Sequence, residues 1–165
     1  MHRETVEVVA THALFRRLAQ SHKAQLLRVM QEEEISANTL IFQEDAQGDS
    51  LYLVVKGTVL LQREVDNDPV PLIQLQKGES FGDIAVLTPG NRLLTAKAIE
   101  SGYVVRLSHE ALQKLQATAP EAVLAIRTKI LEHFLIKIRN LEPVWQHLLL
   151  QGVTALDGKI LGRGR

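Results

Sequence analysis

The hydrophobic period of this chain changes twice, from helical spacing to short alternating runs and back, dividing it into helical, strand and helical thirds. Thr11 reads as an N-cap followed by Leu14, Phe15 and Leu18 at helical spacing, and Ser21 as the cap of a second short helix carrying Leu26, Leu27 and Met30. From about Glu34 to Leu107 runs of four to eight residues rich in Val, Ile, Leu and Thr follow one another. Turn signals at Gly48-Asp49, Lys56-Gly57, Asp66-Asn67-Asp68-Pro69 and Lys77-Gly78 punctuate them. The strands expected are Glu34 to Ser36, Leu40 to Gln43, Ser50 to Val55, Thr58 to Val65, Leu72 to Gln76, Leu93 to Ile99 and Gly102 to Leu107. Short strands at regular spacing predict an antiparallel barrel or jelly roll.

One segment breaks the strand pattern. Gly82 to Leu87 reads as a single helical turn inside the sheet, and that interruption is where function is sought. Ser108 starts a short helix, and Pro120, suited to a first helical position, opens a long one running to about Glu142. Val123, Ile126, Ile130, Phe134, Ile138 and Leu141 form its apolar stripe, widened by Leu124, Leu131 and Leu135, enough for two contacts. Pro143 ends or kinks it, and a short apolar segment, Val144 to Leu150, precedes a Gly- and Arg-containing tail. The fold class expected is α+β: an antiparallel β jelly roll with N-terminal helices, a short cassette helix and a long C-terminal helix.

With 165 residues, one domain with an appended helix is the expectation. Nineteen Lys plus Arg balance nineteen Asp plus Glu, so no global field draws the chain onto nucleic acid or acidic membrane, and any anion binding must be local. The absence of cysteine excludes disulfides and thiolate metal sites and suits a reducing compartment. The N-terminal sequence carries Glu4 and Glu7 and lacks a long apolar run, which argues against a signal peptide or spanning helix and for a cytoplasmic location.

The chemistry concentrates in Phe81 to Thr95. A helical turn after Gly82 exposes backbone N–H groups without internal partners, which can cradle an anion. Arg92 completes such a site, because its planar fork donates two parallel hydrogen bonds to phosphate oxygens. Asp83 would repel a phosphate and makes sense only as an acceptor for ligand hydroxyls, a combination that a ribose phosphate satisfies.

The run Phe81-Gly82-Asp83-Ile84-Ala85-Val86-Leu87, followed by Arg92, resembles the phosphate-binding cassette of the cyclic-nucleotide-binding domain family. Gly48-Asp49-Ser50-Leu51-Tyr52-Leu53-Val54-Val55-Lys56-Gly57 is similar to that family's Gly-Asp-x-x-Tyr-x-Val-x-x-Gly hairpin, and the likeness spans roughly Phe15 to Leu141. The resemblance implies a jelly roll in which Arg92 pairs with the exocyclic phosphate, supplemented by the N–H groups of Ile84, Ala85 and Leu93. It places Asp83 at the ribose-binding acid and Gly82 at the close-approach glycine. Three positions depart from the pattern: Asp83 is one methylene short, Leu93 and Leu94 bring bulk that would crowd the pocket, and Glu44 replaces a turn glycine.

The hydroxyl that some members of that family use beside the arginine to favour guanine is absent at Leu93, so the resemblance implies cyclic AMP as the ligand, with cyclic GMP the alternative, and no cofactor. The long helix would serve as lid, with Arg127, Thr128, Phe134 and Lys137 as candidates to meet the base, and would carry occupancy to a homodimer partner or an attached effector domain. Residues 1–10 then read as an extension, 11–142 as the binding domain and 143–165 as a tail. The short remainder leaves no room for a helix-turn-helix, so direct DNA binding is not expected, and with no long apolar run at the N-terminus neither is membrane insertion. The competing reading is a degenerate fold, blocked at Asp83, Leu93 and Leu94, acting as a ligand-independent protein-interaction module.

Enzymatic readings fare worse. Gly78-Glu79-Ser80-Phe81-Gly82 matches the Gly-x-Ser-x-Gly nucleophile elbow, with His109, His133 and His147 downstream, but that elbow belongs to a parallel α/β sheet. A metal-dependent jelly-roll enzyme needs imidazoles on its strands, whereas His2, His12, His22, His109, His133 and His147 all lie outside the strand region.

Overall fold

The computed structural model describes residues 1–66, 68–136 and 138–139. Two compact units divide the chain, Met1–Thr128 and Lys129–Arg165. The first holds the β-structure and is an antiparallel jelly roll with flanking helices.

Its elements are α1 (Arg3–Thr11), α2 (Gln20–Val29), β1 (Gln31–Ile35), β2 (Leu40–Phe42), β3 (Gln47–Gly48), β4 (Ser50–Lys56), β5 (Val59–Val65), β6 (Asp68–Leu75), β7 (Ser80–Phe81), α3 (Asp83–Leu87), β8 (Gly90–Asn91), β9 (Thr95–Ala98), β10 (Gly102–Ser108) and α4 (His109–Thr118). Residues 120–128 are helical; in the second unit so are 129–136 and 138–139. Two four-stranded sheets, in the orders β1-β10-β4-β7 and β2-β9-β5-β6, are joined by a small β3-β8 ribbon. Between the two sheets Ile35, Tyr52, Val54, Val59, Leu75, Phe81, Ala96, Ala98 and Val104 form one cluster.

Strand β4 is buried on both faces, which explains why its sequence is continuously apolar rather than alternating. Tyr52 and Val54 point into the cluster, while Leu51, Leu53 and Val55 are also buried and α1 and α3 lie against the strand. Ser108 caps α4 by accepting a hydrogen bond from the Ala111 N–H, as its position implied.

The N-terminal helices differ from expectation. Thr11 is the last residue of α1, its hydroxyl donating back to the Glu7 carbonyl at 2.9 Å, and Leu14, Phe15 and Leu18 are buried from a turn rather than a helix. The helix lies upstream because Thr5, Val8 and Val9 supply the buried stripe, and Glu32 of β1 accepts the His2 N–H at its start. Ser21 sits inside α2, whose cap position is Ala19.

Strand boundaries moved for identifiable reasons. Strand β1 runs Gln31–Ile35 rather than Glu34 to Ser36, its glutamates tolerated because it pairs on one side only, with β10. Strand β6 begins at Asp68, inside the expected turn, and carries Pro69 and Pro71; an edge strand tolerates them, since prolines cannot donate to a further strand. Leu93 and Leu94 precede β9 instead of belonging to it. The two-residue strands β3, β7 and β8 fall below any pattern a sequence window detects. Asn67, Lys137, the helix end at Glu142, Pro143, Val144 to Leu150 and His147 lie outside the described residues.

Candidate functional site

The interruption at Gly82 is a helix start. Gly82 takes φ 74°, ψ 18°, the left-handed conformation that glycine adopts without steric cost, and turns the chain from β7 into α3. Asp83 opens the helix half-buried, Ile84 is exposed, and the Ala85 N–H donates to the Gly82 carbonyl at 3.2 Å. Five residues cannot hold a helix alone. The last turn is instead tied to α4, where the His109 Nδ1–H donates to the Val86 carbonyl at 2.8 Å and the Gln113 amide donates to His109 Nε2 at 2.9 Å.

Arg92 reaches the same place from the other side. Its main chain bonds the loop before β3, N–H to the Ala46 carbonyl at 2.8 Å and carbonyl to the Asp45 N–H at 2.8 Å, next to the Gly48↔Gly90 pair of the β3-β8 ribbon. The side chain runs inward and is only 6% exposed. Nη1 donates to the Ser50 carbonyl at 2.9 Å, and Cζ sits 4.1 Å from the centre of the Phe42 ring and 5.7 Å from that of Tyr52. Tyr52 stacks on Phe81 at 5.2 Å, so an aromatic floor underlies the guanidinium. Two glycines admit it: a Cβ on Gly48 would come within 2.1 Å of Arg92 Nε, and one on Gly82 within 2.6 Å of Nη1.

The electrostatics are unusual. Arg92 Nε is buried without a hydrogen-bond partner, and among the described residues the guanidinium makes no ion pair. Burial pushes its pKa below the ordinary arginine value, opposed by Tyr52 and Asp49. Asp49 is occupied elsewhere, accepting from the Ser50 hydroxyl at 2.5 Å and from Arg106 at 3.1 Å.

The structure thus brings Gly82, Asp83, Ile84 and Ala85 into one turn, and Gly82 against the Arg92 guanidinium. Leu93 is 74% exposed and Leu94 half-buried. Glu44 leaves the left-handed position to Asp45, φ 63°, and pairs with Arg63 at 3.2 Å. Phe42 was not anticipated as part of the site. Gly48, Ser50 and Tyr52 belonged to the second motif without an assigned role. On the helical segment Arg127 is half-buried, Thr128 exposed and Phe134 38% exposed. Among the described residues no cluster of His, Cys, Asp or Glu is placed to hold a metal ion, and no helix is long and apolar enough to cross a membrane.

Comparison with known proteins agrees with this fold. The family model for the cyclic nucleotide-binding domain matches residues 32–119, more than half of the chain. A CRP-like cAMP-activated global transcriptional regulator of Mycobacterium tuberculosis is 26% identical over 116 residues, covering 70% of this chain and 52% of that protein. The chain therefore spans about half the length of that relative. Among solved structures, the Thermus thermophilus catabolite activator protein superposes with TM-score 0.73 at 26% identity, covering 82% of this chain and 62% of that one. The N-terminal domain of a Streptomyces coelicolor transcriptional regulator gives TM-score 0.73 at 25% identity, covering 81% and 94%. On the family match and the shared jelly roll, this chain belongs to the cyclic nucleotide-binding domain family.

Proposed function

We propose that this domain senses a cyclic nucleotide, cyclic AMP before cyclic GMP, at the cassette Gly82, Asp83, Ile84, Ala85, Arg92, Leu93 and Leu94. The observation that carries the reading is Arg92: a buried guanidinium, held in place by the Ser50 carbonyl, with no described carboxylate paired to it. A buried cation without a counter-charge is costly, and an anion that enters beside it recovers the loss. A cyclic phosphate is such an anion. Asp83, at the opening of α3, takes a ribose hydroxyl, and its shorter side chain favours a water-mediated contact. Membership of the family, and the name of the mycobacterial relative as cAMP-activated, support the ligand class.

Occupancy is relayed through α3. Its last turn bonds α4 through His109, and α4 leads to the helical segment from residue 120, whose onward contact is a homodimer partner or an attached effector. Leu124, 68% exposed on that segment, is an apolar side chain available to such a partner. The second reading, a ligand-independent interaction module, draws on Val70, Leu72 and Ile73, exposed on the edge strand β6. Its blocking argument loses Leu93, which stands 74% exposed.

A thermal-shift titration with cyclic AMP, cyclic GMP and cyclic dinucleotides separates the two, because a ligand bound only by the folded state raises the melting temperature. A shift with cyclic AMP is expected. No shift with any of them at millimolar concentration leaves the interaction module as the surviving account.

A further inference from the structure

Beside the arginine of the cassette lies a second one with a different set of partners. Arg106, on β10, donates from Nε to the Ser50 hydroxyl at 2.7 Å and from Nη2 to Asp49 Oδ1 at 3.1 Å, while its Nη1 lies 3.7 Å from Glu33 Oε1. Ser50 donates its own hydroxyl to the same Asp49 oxygen at 2.5 Å. Asp49, Ser50 and Arg106 form a closed triangle, and the carbonyl of that same Ser50 anchors Arg92. Asp49 is thus the carboxylate adjacent in sequence to the residue that holds Arg92.

We propose that Arg106 is a positioning residue: with Ser50 it holds the Asp49 carboxylate away from Arg92, so that the Arg92 guanidinium stays available to an incoming phosphate. The inference rests on the proposed cyclic-nucleotide site and adds to it the group that keeps that site open. The two charges already influence one another, Asp49 raising the pKa of Arg92 and Arg92 lowering that of Asp49, without forming an ion pair. Released from Arg106, the half-exposed Asp49 side chain is left with Arg92, the other cation that acts on it, and competes with the ligand for it. The effect is modest because the triangle is partly solvated, with side-chain exposures of 29% and 48% for Arg106 and Asp49.

Calorimetry with cyclic AMP on the full chain tests this. Arg106→Gln should weaken binding about fivefold, equivalent to ~1 kcal/mol at 1.4 kcal/mol per decade. Adding Asp49→Asn to it should restore binding, whereas adding Glu33→Gln, which restores the same net charge without touching Asp49, should not. Unchanged affinity in Arg106→Gln, or equal rescue by Glu33→Gln, overturns the positioning role. Should Arg106→Gln fail a thermal-melt check of folding, Arg106→Lys, which cannot bridge Asp49 and Ser50 together, is read for the same selective rescue. Arg92→Ala separates the two levels. If it binds as wild type, the parent site is wrong; if it loses binding while Arg106→Gln does not, only the positioning role falls.

Discussion

Gly48→Ala is a perturbation that touches Arg92 without altering the arginine itself. The backbone of Gly48 lies outside the left-handed region, so alanine is conformationally allowed there, but its Cβ would stand 2.1 Å from Arg92 Nε, 2.5 Å from Cζ and 2.7 Å from Cδ. The side chain must leave its place over Phe42. Leaving forfeits the hydrogen bond to Ser50, about 1.5 to 3 kcal/mol for a charged donor, and a desolvated cation–π interaction of up to about 2 kcal/mol. The displaced guanidinium regains water, so folding stability should fall by less than those two interactions together are worth, by about 1 to 2 kcal/mol. Ligand affinity has no such compensation. A misplaced arginine that forfeits about 3 kcal/mol at the phosphate weakens cyclic AMP binding by roughly two orders of magnitude. Gly90→Ala is the matched control, since Gly90 pairs with Gly48 in the same ribbon and a Cβ there meets nothing within 4 Å. Calorimetry and urea unfolding of both variants read the two quantities. Gly48→Ala binding cyclic AMP as well as Gly90→Ala would refute the placement of Arg92.

Other consequences are independent of that one. Phe15→Ala should cost about 3 to 5 kcal/mol in urea unfolding, because the fully buried ring packs from a turn into the core; a loss under about 1 kcal/mol would mean that the turn is peripheral. Leu93→Ala should change both stability and cyclic AMP affinity little, within about 0.5 kcal/mol, and a marked gain in affinity would revive the crowding argument. Asp49 has its folded pKa held down by the Ser50 hydroxyl first and Arg106 next, against the opposing effect of burial. Its contribution to stability is therefore present above the unfolded carboxylate pKa and lost as pH falls through the folded value. Asp49→Asn should flatten the stability curve in that acid window, and an unchanged slope would remove Asp49 from the network.

The turn at Gly82 to Leu87 was legible in the sequence because it is local, and Arg92 follows five residues later. What surrounds Arg92 was not legible, because Phe42, Gly48 and Ser50 come from 42 to 50 residues upstream and meet it only through the β3-β8 ribbon and the β4 backbone. The helix α1 was missed through reliance on a polar cap. Its buried stripe mixes Thr5 with Val8 and Val9, and the group satisfying its start is Glu32 from a strand. Strand β6 was shortened because Pro69 reads as a turn when edge position, which sequence does not display, makes it acceptable.

The central claim is that Arg92 is a buried cation kept for a phosphate. Titrating cyclic AMP into wild type and Arg92→Ala by calorimetry tests it most directly. The account predicts saturable binding by wild type and a loss of about a hundredfold or more in the variant, as expected when one partner of a buried charge pair is removed. Equal affinities, or no binding heat from wild type, would contradict it.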